Sequence, residues 1–311
     1  MTADELLARR LLIVSGKGGV GKSTVAAALT ILARNRGKRV LLVEVDAPLA
    51  AAPRFDLDRP GVPPVETLNL RPAQVMDEYV RHVVKLELLA RRILESPVYR
   101  RFFSAAPGLP DLMVLGKIMV LVEERERLAR RPRYDLVVVD APATGHGLAF
   151  LRAPVAAARA VPIGPIGSNA RRVLSLLRDA QRTALVLVAI PEEMAVVETL
   201  EFRRQAREEL ELPPGAVVLN ACHEPRLTAA QEAEVLRLAA AGADGPLAGG
   251  LGLAAALEAA RRHIRRRKLT RFYAARLARA LDEPLLRLPF RFGDALGAGD
   301  LEALAARLAA A

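Results

Sequence analysis

The sequence predicts an α/β fold with a doubly wound, mostly parallel sheet and an inserted helical subdomain. Six short apolar runs alternate with segments of helical periodicity, and strands separated by helices favour a parallel sheet covered on both faces. Residues 71–131 lie between the second and third runs and are far longer than a simple crossover, so we predict that they form the helical subdomain. We expect residues 1–311 otherwise to form a single domain.

Each predicted element follows from its local pattern. Short apolar runs predict strands, here Leu11–Ser15, Arg39–Val45, Tyr134–Asp140, Ala184–Ile190, Gly215–Asn220 and Pro284–Leu288. Helical periodicity predicts Ser23–Arg36, Pro72–Glu95, Asp111–Arg130, Gly147–Ala157, Asn169–Ala180, Glu192–Glu209, Thr228–Ala280 with a break near Gly242–Gly252, and Asp300–Ala310. The proline-rich stretch Ala47–Val65 has no period and predicts a loop.

The composition is that of a globular protein, with 52% hydrophobic and 26% charged residues. No apolar run reaches the roughly 18 residues that a membrane-spanning helix needs, and residues 1–10 do not resemble a secretory signal. The single cysteine, Cys222, cannot form an internal disulfide. We therefore expect a cytoplasmic protein, with peripheral contact at an inner membrane left open.

The strongest motif is GKGGVGKS at residues 16–23, directly after the first strand and before a helix. Glycines allow backbone N–H groups to turn toward phosphates, and the helix N-terminus adds a positive dipole end. Lys22 is expected to reach the β- and γ-phosphates of ATP, and Ser23 to bind Mg²⁺. The predicted nucleotide contacts are Gly16, Lys17, Gly18, Gly19, Val20, Gly21, Lys22, Ser23 and Thr24.

A second lysine in this loop, Lys17, is unusual because a phosphate-binding loop needs only one. Two cations so close together repel each other unless anionic charge is bound nearby. The loop resembles the deviant Walker A motif of the signature-lysine P-loop ATPases. That resemblance implies a P-loop NTPase fold and a homodimer, or a heterodimer with a related ATPase, in which Lys17 reaches the partner's nucleotide.

A second motif follows the third predicted strand. An apolar run ending in Asp140 is a Walker B arrangement, which would place a carboxylate beside Mg²⁺, directly or through water. Its continuation, DAPATGHG at 140–147, resembles switch II of the family of arsenite-transporter ATPases and tail-anchored-protein targeting ATPases. A loop-packing role and a catalytic role both remain open for His146.

The resemblance also assigns roles to two polar residues at strand ends. Asp46 occupies the position of the family's switch I aspartate, which orients the attacking water. The family usually has a histidine three residues later, whereas this chain has Leu49. We therefore expect slow hydrolysis, with Asp46, Lys17 and Lys22 as catalytic residues. Asn220 matches the family's adenine-contacting asparagine, although an ordinary turn residue fits equally well.

Several partner classes can be weighed from the same residues. One cysteine cannot supply a three-thiolate arsenite site, and without paired C-x-x-C motifs no structural zinc is expected. Nucleic acid is not expected, because aromatics are only 4% of the residues. The apolar helix at 112–122 suits either core packing or a groove for a hydrophobic-helix or membrane-protein client. The basic run Arg261–Arg267 with Lys268 suits a solvated face, an anionic membrane or an acidic partner.

The sequence is therefore compatible with three functions. The leading one is a dimeric ATPase whose nucleotide state drives a conformational change on a protein or membrane client. The second is a nucleotide-responsive, weakly hydrolysing subunit of a hetero-pair, which the missing switch I histidine favours. The third is a partition- or positioning-type ATPase.

Overall fold

A computed structural model describes residues 2–48, 57, 64–84, 86–97, 108–126, 131–142, 146–161, 163–240, 251–293 and 296–310. Its strands are β1 (Leu11–Gly16), β2 (Val40–Val45), β3 (Glu66–Leu70), β4 (Leu136–Asp140), β5 (Thr183–Ala189), β6 (Pro214–Cys222) and β7 (Leu285–Pro289). They form one sheet in the order β3-β2-β4-β1-β5-β6-β7, and every neighbouring pair is parallel. The predicted α/β class with a parallel sheet is confirmed.

Eleven helices are defined within the described residues. They are α1 (Ala3–Leu7), α2 (Lys22–Asn35), α3 (Pro72–Val83), α4 (Glu87–Glu95), α5 (Leu109–Glu123), α6 (His146–Ala160), α7 (Pro165–Arg178), α8 (Glu193–Glu208), α9 (Ala229–Ala240), α10 (Leu251–Ala280) and α11 (Ala298–Ala309). Among these helices, none is both long enough and apolar enough to cross a bilayer.

The central strand β1 separates two apolar layers. Leu11 and Ile13 belong to one buried cluster, and Leu12 and Val14 to the other, as alternating side chains of a strand must. The first cluster includes side chains of α5 to α8 and α10, and the second those of α1, α2 and α11. Both faces of the sheet are thus covered, which explains why its strands are apolar throughout.

The order of the strands determines where a ligand can bind. The connection after β1 runs toward the β3 edge of the sheet, whereas the connection after its neighbour β5 runs toward the β7 edge. In open parallel sheets, ligands bind at the carboxyl ends of the strands where the connections diverge in this way. The loop at 16–23 follows β1 and lies at that point.

Some elements differ from the sequence-based expectation. Strand β3 was not predicted. It begins at Glu66, directly after the predicted loop at 47–65. The predicted helix Pro72–Glu95 is two helices, because Val84, which ends the first, and Leu86, which precedes the second, are not helical. The helix predicted to end at Arg130 ends at Glu123, and Arg125 then forms an antiparallel bridge with Pro132.

Helix α1 was also missed, because five residues are too few to show a helical period. Its N-terminus is fixed by a capping box, in which Thr2 and Glu5 bond each other's backbone N–H groups. Leu6 and Leu7 are fully buried in the second cluster.

The apolar helix α5 packs as part of the core. Its side chains from Leu112 to Val122 are buried, apart from the half-buried Lys117 and the exposed Val120. An all-round apolar helix is expected inside a protein, so these residues do not line an open groove. The helical subdomain at 71–131 stays a prediction.

Candidate nucleotide site

The loop between β1 and α2 requires glycine at two positions. Gly16 has φ +152°, and a Cβ there would lie 2.3 Å from the carbonyl oxygen of Val188 in β5. Gly21 has φ +87° and is the N-cap of α2, where it provides no side chain to the helix N-terminus. A Cβ at Gly21 would lie 2.3 Å from the Asn220 amide nitrogen. The loop therefore exposes backbone N–H groups in a space that larger residues would fill.

Lys22 opens α2 and is directed back into the loop. Its Nζ donates to the carbonyl oxygen of Lys17 at 3.3 Å. Partial burial lowers the pKa of Lys22, while the nearby charge of Asp140 acts in the opposite direction. Desolvation of an ammonium group costs free energy that a bound anion would offset. An anion bound in the loop would therefore stabilise the charged form of Lys22.

The predicted metal ligands lie together. The Ser23 hydroxyl donates to Oδ2 of Asp140 at 2.5 Å. Asp140 is the last residue of β4 and pairs with Val14 of β1, so the sheet register places its carboxylate beside the start of α2. A hydroxyl and a carboxylate are hard oxygen donors, which suit Mg²⁺. Magnesium usually takes few protein ligands and completes its shell with water and phosphate oxygens, so this pair fits it.

Lys17 forms an ion pair within its own chain. Its Nζ lies 2.8 Å from Oε1 of Glu198 in α8, and about a third of each side chain is exposed (35% and 30%). Glu198 lies in the predicted helix Glu192–Glu209, for which the sequence predicted no charge partner. Reaching another subunit's nucleotide would require Lys17 to leave this carboxylate.

Asp46 follows β2 in an uncommon conformation. Its φ is +51°, in the left-handed region that non-glycine residues rarely adopt. The backbone around it is fixed by β3, because the Asp46 N–H donates to the Leu70 carbonyl at 3.0 Å. The Asn69 side chain also bonds both backbone groups of Ala47, at 3.1 and 2.7 Å. Asn69 fixes the backbone that follows Asp46, and sequence reasoning missed it together with β3.

Asn220 bonds the loop as well as facing a cavity. Its amide nitrogen donates to the Val20 carbonyl at 2.9 Å. The next residue, Ala221, has φ +55°, and the register of β6 with β7 shifts between Leu219 and Cys222. This irregularity leaves the side chain of Asn220 half-buried between the loop and the cavity.

The cavity beside Asn220 has a volume of about 250 Å³. Its lining joins the loop at Gly19–Gly21 and Thr24 to the segment 289–293 after β7. The predicted contact residue Thr24 is therefore in this wall. Apolar walls with a few polar groups suit a flat heteroaromatic base. Sequence reasoning did not identify the β7 segment, which no local motif marks.

A second cavity of about 330 Å³ shares Gly19 and Phe290 with the first. It reaches His223, which stacks on Phe290 with ring centroids 4.8 Å apart. Burial lowers the pKa of His223, and the neighbouring His263, Arg266 and Arg226 lower it further. Both effects favour the neutral imidazole, whose ring stacks on Phe290 in this wall.

Cys222 is a buried residue at the end of β6, and its thiol donates to the Leu219 carbonyl. Burial raises its pKa to about 11. A protonated thiol is a poor ligand for a soft metal. Within the described residues, three or more His, Cys, Asp or Glu side chains nowhere cluster as a metal site would require.

Part of the predicted switch regions lies outside the described residues. Residues 143–145 and Leu49 are not described. His146 begins α6, but the structure does not define its side chain, so its two possible roles stay open. Gly147 is closely packed, because a Cβ there would lie 2.8 Å from both the Pro142 carbonyl oxygen and the Ser15 hydroxyl.

Comparison with known proteins gives a consistent set of relatives. Residues 9–162 match the family model described as anion-transporting ATPase. ATPase BagA of Mycobacterium tuberculosis is 35% identical over 227 residues, which cover 68% of this chain and 64% of the relative. An arsenical pump-driving ATPase of Acidiphilium multivorum is 27% identical over 201 residues, covering 57% of this chain and 33% of the relative. ATPase GET3C of Arabidopsis thaliana is 23% identical over 265 residues, covering 68% and 66%. The aligned part thus spans less than two thirds of the mycobacterial relative.

Proposed function

This chain belongs, through residues 9–162, to the anion-transporting ATPase family, as the sequence resemblance predicted, and from that premise we propose that it is a dimeric ATPase. It binds ATP with Mg²⁺, hydrolyses it slowly, and uses the nucleotide state to act on a protein or membrane client. The observation that supports this most directly is the glycine loop beside the Ser23–Asp140 pair at the carboxyl end of the central strands.

The proposed site divides the nucleotide between two surfaces. The polyphosphate lies against the loop at 16–23, where Lys22 and the N-terminus of α2 provide positive charge. The base enters the cavity of about 250 Å³, where Asn220 still has its amide oxygen to accept from an exocyclic amino group. Ser23 and Asp140 hold Mg²⁺, which offsets the charge on the phosphates.

Asp46 is the proposed residue for orienting the attacking water. A carboxylate near the terminal phosphate polarises water, and Asn69 together with Leu70 fixes the backbone on either side of Asp46. The left-handed conformation of Asp46 is strained by about 1–3 kcal/mol, and such strain is common at functional sites. Without a switch I histidine, hydrolysis is expected to be slow.

Dimerisation would use Lys17. In the single chain, Lys17 is paired with Glu198 and does not add its charge to Lys22. In the dimer, Lys17 would exchange this partner for the phosphates of the other subunit's nucleotide. Release of Lys17 is thereby coupled to nucleotide binding in the partner, and this holds for a homodimer and for a heterodimer with a related ATPase.

The proposed client contact is the region of α3 and α4. Helix α4 packs chiefly against α3, and Leu86, Leu88 and Leu89 are exposed by 69%, 83% and 48%. Exposed leucines on and beside a helix that has few partners among the described residues are typical of an interaction surface. A hydrophobic helix of a client is the proposed ligand, and the helical subdomain at 71–131 would present this surface.

A single-turnover assay tests the enzymatic part. We expect MgATP hydrolysis by the wild type and at least a 100-fold lower rate for Asp46→Asn, with ATP affinity changed less than about threefold. Asp77→Asn in α3 is the matched control, because Asp77 is an exposed carboxylate away from the loop. Equal rates for all three proteins would remove the role of Asp46 and favour the weakly hydrolysing subunit of a hetero-pair. Absence of Mg-nucleotide binding would refute the proposal as a whole.

Light scattering of the purified chain with ATP, with ADP and without nucleotide tests the dimer. A mass that stays monomeric in every state contradicts the homodimer and directs the search to a related ATPase as partner. The cytoplasmic location and the positioning-type alternative stay predictions. Cell fractionation decides the first, and cooperative assembly on DNA or membrane would support the second.

A further inference from the structure

Most of the excess positive charge of this protein lies on one helix. Between Glu258 and Asp282 the sequence has nine arginines and lysines and no acidic residue, whereas the whole chain has a net charge of +11. Nearly all of this stretch lies in α10. An arginine-rich composition alone would distribute the charge over the surface, so the concentration on α10 needs its own explanation.

The fold separates α10 into two faces. The inner face packs on the protein through the buried side chains of Ile264, Thr270, Tyr273, Ala274 and Leu277. The opposite side, which we call the basic face, consists of Arg261, Arg262, Arg265, Lys268, Leu269 and Phe272, all exposed. Positions 261, 265, 268 and 272 are spaced by four, three and four residues, so they form one line along the helix.

The charges of the basic face are poorly balanced within the chain. Arg261 lies 3.8 Å from Glu258. Arg267, toward the inner side of α10, lies 2.5 Å from Glu232. In the described part of the chain, no carboxylate lies within 4.0 Å of Arg262, Arg265 or Lys268. Like charges along one line repel each other, and an anionic surface would relieve that repulsion.

Two apolar side chains interrupt the basic face. Phe272 is 57% exposed and Leu269 is 39% exposed. At the surface of an anionic bilayer, cations contact the headgroups and exposed apolar side chains enter the acyl boundary, so this face offers both kinds of contact. We propose that the basic face of α10 binds the surface of an anionic lipid membrane.

Duplex DNA is the main competing anion, and the apolar residues argue against it. Phosphate contacts account for most non-specific DNA affinity and gain nothing from an exposed Phe and Leu on the same face. A bilayer uses both kinds of side chain. Leu269 also lines the second cavity, but Phe272 and the charged residues of the basic face line neither cavity and lie outside the loop at 16–23, so the proposal is separate from the proposed ATPase function.

The test is sedimentation of the full chain with vesicles containing about 30% phosphatidylserine and with neutral phosphatidylcholine vesicles. We expect binding to the anionic vesicles only, and binding that falls as salt rises from about 50 mM to about 300 mM. Arg265→Gln with Lys268→Gln should weaken binding about 10- to 30-fold. Phe272→Ser should weaken it about threefold to tenfold without changing the charge.

The matched control is Arg71→Gln with Arg159→Gln, which removes the same charge from exposed positions in other parts of the chain. It should reduce vesicle binding less than threefold. Urea unfolding, measured on every variant, shows whether the variant is folded. ATP hydrolysis, also measured on every variant, shows whether a loss of vesicle binding occurs without a loss of the proposed ATPase function. Three results would overturn the proposal. They are equal binding to neutral vesicles, equal losses of binding in both double variants, and tighter binding to a DNA duplex of about 30 base pairs. The salt series on the wild type remains decisive if a variant fails to fold.

Discussion

Replacing Glu198 by glutamine removes the charge that holds Lys17 within its own chain while leaving the side chain nearly the same shape. The two groups are 2.8 Å apart, and each side chain is about one-third exposed. Ion pairs with this exposure contribute about 0.5–1 kcal/mol. If Lys17 must leave Glu198 for the partner's nucleotide, that free energy opposes dimerisation once in each subunit.

The effect on the dimer follows from its two-fold symmetry. Two released pairs amount to about 1–2 kcal/mol, so Glu198→Gln should lower the ATP-dependent dimer dissociation constant about 5- to 30-fold. Sedimentation velocity over a concentration series with Mg-ATP measures this constant. The gain should shrink at high salt, because exposed ion pairs are screened.

Glu78→Gln is the control for this experiment. Glu78 pairs with Lys117 at 2.7 Å, which is a comparable ion pair between α3 and α5. Its removal should leave the dimer constant unchanged. An unchanged or weaker dimer for Glu198→Gln would refute the view that Glu198 competes with the partner's nucleotide for Lys17.

Three further substitutions test the local structure. Gly16→Ala should lower the free energy of unfolding by about 3 kcal/mol or more, measured in urea, because its Cβ would lie 2.3 Å from a β5 carbonyl oxygen. Asn220→Ala should weaken ATP binding about fivefold to tenfold, measured with a fluorescent analogue, because the Val20 carbonyl loses its amide donor. Asp135→Asn should destabilise the fold at pH 7 and lose that effect in acid, measured by thermal unfolding. The bond from Arg39 lowers the pKa of Asp135 to about 2, so its stabilisation is present above about pH 4 and is lost as the pH falls toward 2.

Each of these has an internal check. Gly37→Ala also places a side chain at positive φ, but a Cβ there meets nothing within 4 Å, so it should cost only about 1 kcal/mol. A similar loss at Gly16 would mean that β1 and β5 can separate. If Asn220→Ala binds ATP normally, its bond to Val20 does not position the loop. If the Asp135→Asn difference persists at pH 2, the carboxylate acts through its shape and not its charge.

The proposed phosphate end of the site can be located from the sequence because its residues are consecutive in the chain. Eight consecutive residues provide the glycines, Lys22 and Ser23, and the strand and helix around them are strongly patterned. Asp140 could be added because an apolar strand ends at it. The structure places Asp140 next to Ser23, since the parallel register aligns the ends of β1 and β4.

Strand β3 could not be predicted from the same kind of pattern. Its side chains are exposed or half-buried except for Leu70, so it lacks the continuous apolar run of the central strands. As an edge strand it follows a loop with no period, and its pairing with β2 is a long-range contact. Missing β3 also meant missing Asn69, which fixes the backbone after Asp46.

The base end of the site depends on contacts that no motif records. Its cavity joins the loop after β1 to the segment after β7, nearly 270 residues later in the chain. The bond between Asn220 and Val20 then fixes the two ends of the site relative to each other, and a Cβ at Gly21 would occupy the position of that amide. Asn220 therefore requires a glycine at position 21, in addition to the proposed phosphate contact. Motif matching attributes this glycine to the nucleotide alone, whereas the structure gives it a second cause in a residue 199 positions away.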